Sequence, residues 1–515
     1  MDPFFCMFVI DTNSKHLSNG NFFEIANLPF FYPKKQTLGF SDPLIFHSLL
    51  FALIKPFVSS KATAIRLMFV LFFFLNWLVC SKFLFLLKKN VSISIFVGWL
   101  FTFSLFFQVQ SAHYQNLLVF PIFLSILPLF SPEMKLKYKF IYSFIGISIF
   151  LISNLYFSIY SLIVYFSSLI FLYIYKGSIT LKKNVYSILG VLISLMVCYP
   201  LLQFYFDIRI EYPEIVGVRN FEEKIQFSAS WRDYLKVLYP PSIYLHFKKY
   251  FVSFDFEKSN FSGLIGLILF FAITVSNIKN IFKRKYDIYK LSIFLFGIGV
   301  FLASGAIYLP FLYKIILKIV PGISEIRALG RAGLIINLGI ILSVYYFLIK
   351  FPIKNTKQKL FFSLICLLLF SERFAEDFYI RNIEYSTDSN REAKLIFDSY
   401  IILNKVNKTK PILVISENSE NNIRIPFFLN LESDATIING YSGYQPKEWN
   451  HFALLNETNA KCDVSMKKNE FLFSYASLLL VETNSLFYKK CKLEIERGFK
   501  LSIRSQNFNL YDKLI

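Results

Sequence analysis

Charged side chains are scarce in this sequence. Asp, Glu, Lys and Arg make up 17% of the 515 residues, hydrophobic residues make up 55%, and the chain contains 63 phenylalanines. An ordinary soluble domain is excluded, because such domains rarely carry so many long apolar runs. Apolar stretches of about 20 residues recur, which is the length that crosses about 30 Å of hydrocarbon. The composition therefore predicts a polytopic membrane protein.

Several sequence fingerprints of enzymes are also lacking. The chain has no GxGxxG after a strand, no phosphate-binding GxxxxGK[ST], no HExxH and no GxSxG. None of the six cysteines forms a CxxC or a Cys/His metal spacing. Cys462 and Cys491 lie in the polar C-terminal region and can pair if that region is exported. Because the nucleotide-binding fingerprints are lacking, we expect a substrate other than a soluble nucleotide.

The formal net charge of +21 would suit a nucleic-acid partner, but the positions of the lysines argue against one. Lysines cluster in short links between apolar runs, whereas the alternate links at 111–115 and 154–156 contain no Lys or Arg. This alternation follows the rule that positive residues flank spans on the cytoplasmic side. The lysine-rich links, predicted to be cytoplasmic, are at 88–90, 132–137, 176–184, 281–287 and 350–358.

Ten membrane spans are predicted from the apolar runs. They lie at about 62–87, 91–110, 116–131, 138–153, 157–175, 185–205, 261–280, 288–309, 330–349 and 359–372. The topology then places residues 1–60, the loop at 206–260, the link at 310–329 and the tail from 373 outside the cytoplasm. The loop at 206–260 carries eight acidic and eight basic residues, so its charges balance.

The N-terminal 60 residues form an external loop in this scheme, with no apolar span before them. We therefore expect a first transmembrane helix to be missing upstream. Alternatively, residues 44–57 insert into the membrane themselves, although they are better described as an interfacial helix or a re-entrant segment. This loop is predicted to expose three acidic residues, Asp2, Asp11 and Asp42. Asp42 comes just before Pro43, which suits either a helix cap or an active-site role.

The tail changes character, with more charges and shorter apolar runs. PILVIS (411–416), ATIING (435–440) and YASLLLVE (475–482) are typical of short strands. We predict three parts: an external N-terminal loop with an interfacial helix at 1–60, a transmembrane bundle at 61–372, and an extracytoplasmic α/β domain at 373–515.

Two external segments carry candidate binding residues. His113 lies in the neutral hairpin QSAHYQN (110–116), where it is either a polar group at the membrane boundary or a hydrogen-bond partner for substrate. Arg219, Glu222 and Glu223 are spaced so that one helical turn would pair them. That pairing suits a surface salt bridge as well as a binding site.

The segment PGISEIRALGRAGLIINLGI (321–340) places three charges before an apolar run. If its helix begins near Ser324, Arg327 and Arg331 share one face, with Glu325 on another side of the turn. Two guanidinium groups and the positive end of a helix would suit a phosphate at the interface. Anchoring the helix to lipid head groups is the alternative.

These segments together resemble the bacterial GT-C glycosyltransferase superfamily, in particular its YfhO-like branch. The likeness is carried, in chain order, by NLPFFYPKKQTLGFSDPL, SAHYQN, RNFEEKIQFSASWRDYL, PGISEIRALGRAG and INGYSGYQP (438–446). The expected fold class is a membrane all-α polytopic bundle of about ten transmembrane helices, GT-C-like, with the C-terminal extracytoplasmic α/β domain. The family opens with a transmembrane helix that leads to a catalytic acid, and Asp2 falls where that acid would be.

The resemblance implies transfer of a sugar from a polyprenyl-phosphate donor to a glycan, lipid or protein acceptor outside the bacterial cytoplasmic membrane. Asp2, or else Asp42, would act as base, and Arg327 and Arg331 would neutralise the lipid phosphate. His113, Arg219, Glu222 and Glu325 are the other expected substrate-binding residues. Some superfamily members use a divalent metal and others do not. The alternatives are a flippase or polymerase of surface polysaccharide, or a degenerate, non-catalytic member of the family.

Overall fold

The computed structural model describes most of the chain up to residue 374 and part of the remainder. The described ranges are 2–374, without 32, 111–112, 178, 214–218, 238–240, 253–256, 284 and 321, and then 399, 410–415, 425, 429, 436–438, 475–483, 485–505 and 507–513. These residues belong to two compact units. The bundle unit comprises Arg66–Leu201 and Val218–Asn382, and the second unit comprises Met1–Ile65, Leu202–Gly217 and Ile383–Ile515.

The bundle unit is built from helices joined by short links. In chain order its helices are α3 Lys61–Lys88, which begins in the second unit, α4 Val91–Thr102, α5 Leu105–Val109, α6 Phe120–Phe130, α7 Leu136–Leu151, α8 Leu155–Lys176, α9 Ile179–Cys198, α11 Phe221–Gln226, α12 Lys248–Phe251, α13 Leu264–Ser276, α14 Ile278–Ile281, α15 Ile288–Tyr308, α16 Pro310–Ile319, α17 Gly333–Lys350 and α18 Thr356–Ser371. The second unit contains α1 Asp2–Ser18, α2 Ile45–Ile54 and α10 Gln203–Glu211.

Each of the ten apolar runs coincides with helix in the structure. Among the described residues, six segments are long and apolar enough to cross a membrane. They are Lys61–Lys88, Val91–Val109, Leu155–Lys176, Ile179–Cys198, Ile288–Tyr308 and Leu329–Lys350. The other four predicted spans are shorter helices of 11 to 16 residues: α6, α7, α13 and α18. The chain is thus a multi-pass membrane protein, as its hydropathy predicts.

Close helix packing in the bundle depends on small residues and neutral polar pairs. At Gly299 of α15, an added Cβ would lie 2.8 Å from the backbone nitrogen of Ile336, so α17 passes directly over this glycine. Ser292 of α15 and Ser343 of α17 share a hydrogen bond of 2.6 Å nearby. Such contacts suit a lipid environment, where helices associate through close packing and hydrogen bonds rather than hydrophobic burial.

The hairpin that carries His113 is fixed by one buried amide. Asn76 of α3 donates from Nδ2 to the Leu117 carbonyl at 2.8 Å, and its Oδ1 accepts from Val119 N at 3.0 Å and Phe120 N at 2.7 Å. It thereby satisfies backbone groups just before α6, where the helix itself leaves amides without partners. This arrangement sets the path of the chain that follows His113.

The N-terminal segment differs from the predicted open loop. Residues Asp2–Ser18 form helix α1, and α1 packs against α2. Asp11 is fully buried within α1 and forms ion pairs with Lys15 at 2.9 Å, Lys61 at 3.2 Å and Lys55 at 3.3 Å. The prediction that Asp11 is exposed is therefore wrong, because three lysines compensate the burial of its charge.

The predicted interfacial segment at 44–57 is helical. It comprises α2 and a following single turn at Lys55–Phe57, and it is too short to cross a bilayer unaided. The residue at the N-cap position of α2 is Leu44, at φ 49°, and it makes no side-chain cap. Asp42 lies two residues before that position.

A small sheet lies in the C-terminal part of the second unit. Its strands are β1 Ile412–Ile415, β2 Leu478–Glu482, β3 Phe499–Arg504 and β4 Phe508–Lys513, arranged β1-β2-β4-β3 with β1 and β2 parallel and the other pairs antiparallel. Helix α19 Leu486–Gly498 precedes β3. The strands predicted in PILVIS and YASLLLVE are confirmed, whereas the described residues of ATIING, 436–438, form an isolated bridge from Ile437 to Ile412. Cys491 is buried and disulfide-bonded, and Cys462, its predicted partner, lies outside the described residues.

We predict that Gly299→Ala destabilises the bundle and that Gly297→Ala does not. Both glycines lie in α15, but a Cβ at Gly297 meets nothing within 4 Å, whereas at Gly299 it meets the backbone of α17. Overpacking of this kind costs about 1–3 kcal/mol. Thermal unfolding of the purified protein in detergent measures the difference. Equal midpoints for the two variants would contradict the close α15–α17 contact.

Candidate functional site

The segment that leads into α17 is not helical where the sequence predicts it to be. Ile323–Glu325 and Leu329–Ala332 form two separate 3₁₀ turns, with Ile326 in an extended conformation between them, and the α-helix begins only at Gly333. The prediction that Arg327 and Arg331 share one helix face is therefore wrong. Their side chains are arranged by an irregular loop, with Arg327 between the two turns and Arg331 in the second turn.

Two glycines let a second loop approach this segment. A Cβ at Gly330 would lie 2.3 Å from the Glu257 carbonyl oxygen, and one at Gly333 would lie 1.9 Å from Asn260 Oδ1. The loop at Glu257–Asn260 thus rests directly on the backbone of the turn before α17. This contact brings the Glu257 side chain to Arg331.

Arg331 and Glu257 form a two-pronged ion pair in a buried position. Arg331 Nε donates to Glu257 Oε2 at 3.0 Å, and Nη2 donates to Oε1 at 3.0 Å. The two side chains are only 6% and 7% exposed, and the guanidinium also lies 5.1 Å from the centre of the Tyr156 ring. A planar fork that matches a carboxylate in this way is the strong form of such a pair.

Three basic side chains converge on a single oxygen atom, Glu257 Oε1. Besides Arg331, His113 Nε2 lies 3.5 Å away and Arg327 Nη2 lies 3.8 Å away. His113 Nε2 is also 3.4 Å from Arg331 Nη2. The structure therefore brings together three of the predicted binding residues, His113, Arg327 and Arg331, around an acid that the sequence analysis did not identify.

The charge state of Glu257 decides what it can do. Burial alone would raise the pKa of its carboxyl group, but Arg331 and His113 beside it hold that pKa well below the usual value. Glu257 is thus ionised at neutral pH and is a poor proton acceptor. Its role is to balance charge and to orient Arg331 rather than to act as a general base.

Arg327 is the more accessible of the two arginines. Its side chain is 33% exposed, and its guanidinium lies 4.9 Å from the centre of the Phe227 ring. Arg331, by contrast, is occupied by Glu257. The geometry therefore separates the two arginines: Arg331 is fixed by its ion pair with Glu257, and Arg327 lies at the accessible edge of the cluster.

The short helix α11 binds the loop that carries Arg327. Arg219 N donates to the Ser324 carbonyl at 3.1 Å, and Gly330 N donates to the Phe227 carbonyl at 3.2 Å. Asn220 caps the helix between these two contacts, accepting from Glu222 N. Residues 219–227 thus hold both ends of the segment 324–330.

Lys224 adds a buried cation to this attachment. Its side chain is nearly inaccessible, and Nζ donates to the carbonyls of Ser324 at 2.7 Å and Ile326 at 2.9 Å. Burial lowers the pKa of Lys224 to about 8. The sequence analysis missed this residue because its acceptors are backbone carbonyls about a hundred residues further along the chain.

The remaining predicted residues lie around or outside this cluster. Arg219 Nη1 pairs with Glu223 Oε1 at 3.3 Å, which confirms the predicted pairing of positions four apart, whereas Glu222 is exposed. Glu325 is partly buried in the first 3₁₀ turn. Asp42, which is partly exposed, and Asp2 belong to the second unit, and the side chain of Asp2 lies outside the described residues.

A metal ion would need several ligands in one place. In the described part of the chain, no three His, Cys, Asp or Glu side chains lie close enough together to hold one. A divalent metal therefore stays a prediction from the family resemblance.

Solved structures share the fold of this chain. It matches the cryo-EM structure of the arabinofuranosyltransferase AftD from Mycobacteria with a TM-score of 0.54 and 12% identity over 90% of this chain, while spanning 35% of the AftD chain. It also matches ArnT from Cupriavidus metallidurans, with TM-scores of 0.51 bound to undecaprenyl phosphate and 0.52 in the apo state. Those two matches have 11% identity and cover 98% and 99% of this chain and 93% of ArnT. No family model and no curated protein matches the sequence. The chain thus has the GT-C fold of these membrane proteins.

We predict that Glu257→Gln lowers the free energy of unfolding by about 3–5 kcal/mol, because it leaves the buried Arg331 charge without its partner. The double variant Glu257→Gln/Arg331→Met removes both charges and should lose less than the sum of the single changes. Unfolding of the purified protein measures each variant. Glu223→Gln, in the more exposed pair with Arg219, is the matched control and should cost less than about 1 kcal/mol. Equal losses at Glu257 and Glu223 would contradict the buried pair.

Lys224 should make stability depend on pH. Its folded-state pKa of about 8 lies below the ordinary value of 10.5. Between these values the unfolded state binds more protons than the folded state, so the free energy of unfolding rises with pH. Comparing the wild type with Lys224→Met isolates this effect: from pH 8 upwards the wild type should gain stability relative to the variant. A difference that does not change with pH would contradict the burial of the ammonium group.

Proposed function

We propose that this protein is a membrane glycosyltransferase that moves a sugar from a polyprenyl-phosphate donor to an acceptor on the outer face of the cytoplasmic membrane. The observation that carries the proposal is the basic cluster of His113, Arg327 and Arg331 beside the first turn of α17. It supplies positive charge at the end of a membrane-spanning helix, where the phosphate of a lipid would lie. The fold shared with ArnT, which has been solved with undecaprenyl phosphate bound, supports the same donor class.

Arg327 is the residue that we expect to contact the phosphate. It is partly exposed, and no carboxylate in the described part of the chain holds it in a fork comparable to that of Arg331 and Glu257. As the bond between sugar and phosphate breaks, negative charge builds up on the departing phosphate, and a preplaced guanidinium stabilises it. Arg331 acts behind it, as part of a rigid, charge-balanced support with Glu257.

The acceptor hydroxyl needs a base that can take its proton as the new glycosidic bond forms. Glu257 is unsuited to this role because its pKa is low. Asp11 is unsuited for the same reason: burial raises the pKa of its carboxyl group, but Lys15 and Lys61 lower that pKa by more, so the pKa lies below its usual value. Asp2 stays the first choice for the base and Asp42 the second. Asp2 is favoured by the resemblance of its surroundings to the acid of the YfhO-like branch.

The orientation of the protein rests on two independent features. Lysines concentrate in alternate links, which places those links in the cytoplasm. Cys491 of the C-terminal domain is disulfide-bonded, and disulfides persist in compartments outside the reducing cytoplasm. Both features support our proposal that the C-terminal domain lies on the outer side, and we propose that the acceptor is bound on that side as well.

We predict that Arg327→Ala lowers transfer from a radiolabelled polyprenyl-phosphate sugar by about 10- to 150-fold, which is the loss of one charge-assisted hydrogen bond. Arg327→Lys should recover part of the activity, since it keeps the charge but not the planar fork. The assay uses membranes with matched amounts of the full chain.

Gln226→Ala, at an exposed position of α11, is the control and should transfer as the wild type does. Arg331→Ala should lower both activity and protein abundance, because it also leaves Glu257 buried without its partner. Full activity of Arg327→Ala would refute the phosphate-binding role of this residue. A wild type that transfers no sugar from any polyprenyl-phosphate donor would overturn the proposed function itself.

A further inference from the structure

Two tyrosine hydroxyls in the bundle unit are buried without a hydrogen-bond partner. They belong to Tyr160 of α8 and Tyr313 of α16, which are 1% and 0% exposed, and neither oxygen meets a donor or acceptor among the described residues. Other buried tyrosines of the same unit are satisfied: Tyr165 shares a hydrogen bond of 2.7 Å with Ser187, and Tyr345 donates to the Leu84 carbonyl at 2.6 Å. The Tyr160 and Tyr313 hydroxyls thus differ from those of Tyr165 and Tyr345, although several serine and threonine hydroxyls of the unit are also unpaired among the described residues.

Tyr160 lies next to the basic cluster. It is four residues after Tyr156, so the two rings lie on the same face of α8, and Tyr156 is the ring that packs on the Arg331 guanidinium. Tyr160 also interacts electrostatically with Arg331, Glu257 and Tyr313. Tyr160 thus belongs to the surroundings of the Arg331 side chain, and Tyr313 is a neighbour of Tyr160.

Tyr313 is held in a place built for its ring. It is the only buried residue of α16, and its ring lies 5.8 Å from that of Phe301, centre to centre. A Cβ at Gly305 would come within 2.7 Å of the Tyr313 ring, so the glycine makes room for it. The other residues of α16 are exposed or half-exposed, and the helix therefore meets the bundle mainly through this one side chain.

An unpaired hydroxyl in such a position is costly. A buried polar group without a partner lowers the stability of the folded protein, whereas phenylalanine would fill the same space without that cost. Buried polar groups are nearly always satisfied, so an exception calls for a ligand, an ordered water or a catalytic role. The proximity of the Arg331 guanidinium favours a ligand that carries anionic oxygen atoms.

We propose that the Tyr160 and Tyr313 hydroxyls bind oxygen atoms of the phosphate head group of a lipid donor, next to Arg327 and Arg331. This inference rests on the proposed function and adds to it a subsite of neutral donors. Each phenol O–H donates to a phosphate oxygen, and Arg327, whose charge is not held by the Arg331–Glu257 fork, balances the phosphate charge. The apolar rings around the hydroxyls exclude water, which strengthens both kinds of contact.

The experiment compares Tyr160→Phe, Tyr313→Phe and the double variant with the wild type, each as the full chain purified in detergent. Thermal unfolding is measured alone, with inorganic phosphate and with undecaprenyl phosphate, and affinity is taken from titration with the lipid. Without ligand, the variants should unfold at or above the temperature of the wild type, because each loses only an unsatisfied hydroxyl. With undecaprenyl phosphate, each should bind about 10- to 150-fold more weakly, which is the loss of one hydrogen bond to a charged group.

Tyr165→Phe is the matched control, since its hydroxyl is buried but paired with Ser187. It should lower the unfolding temperature without ligand and leave the affinity for lipid unchanged. If Tyr160→Phe and Tyr313→Phe behave like this control, their hydroxyls are structural and the subsite is refuted. Normal lipid affinity in the double variant refutes it as well, while leaving the proposed function intact. A wild type that does not bind undecaprenyl phosphate overturns both proposals, and stabilisation by inorganic phosphate alone identifies a free anion rather than a lipid as the ligand.

Discussion

The buried pair of Glu257 and Arg331 is the interaction on which the candidate site depends. Removing two charges from water costs several kcal/mol for each ion, and only close, well-oriented contact offsets that cost. Here the contact is a fork of two hydrogen bonds of 3.0 Å, with an aromatic ring over the guanidinium. Neither residue is tolerable without the other. The two loops that carry them must therefore come together for the bundle unit to fold.

This requirement explains why the chain before α17 is irregular. In a continuous helix from Ser324, Arg331 would project from a regular helix surface. In the observed structure, two 3₁₀ turns and the glycines at 330 and 333 let the Glu257 loop pack directly against the backbone of this segment. Lys224 then satisfies two carbonyls that the missing helix leaves without partners. The loop is thus fixed from both sides, and Arg327 is presented from a rigid support. Groups placed in advance of the reaction need no rearrangement when charge develops, which is the property that a transfer site requires.

The interior of the bundle offers a different chemistry from its rim. Between the helices most of the described polar contacts are neutral, as in the pairs Ser292–Ser343 and Ser143–Ser187, and Lys139 of α7 donates to Asn184 of α9. These pairs join helices without creating a charged path through the membrane. The basic cluster lies instead at the beginning of α17, at one end of a helix long enough to cross a membrane. The proposed transfer reaction at the rim suits this distribution of charge better than transport through the bundle does.

Hydropathy by itself determined the helices, because crossing hydrocarbon demands a run of apolar residues that is visible in any short window of sequence. All ten apolar runs that it predicted as spans coincide with helix, and the charges before α17 marked Arg327 and Arg331 as candidates. The sequence alone also indicated two of the strands of the sheet, through their apolar runs bounded by polar turns.

Only the tertiary structure decided which charges are buried and how they pair. Glu257 is 74 residues from Arg331 along the chain, and His113 is 218 residues from it, so no local pattern links them. Asp11 looked exposed in the sequence but is buried, because Lys55 and Lys61 reach it from segments 44 and 50 residues away. The same holds for the start of α17, where local propensity favoured a helix from Ser324 and contacts from α11 and the Glu257 loop imposed turns instead. A membrane helix forms where its own residues are apolar enough for the surrounding lipid, so its position can be predicted from a short stretch of sequence. The pairing of buried charges depends on residues that are distant in the sequence and come into contact only when the chain folds.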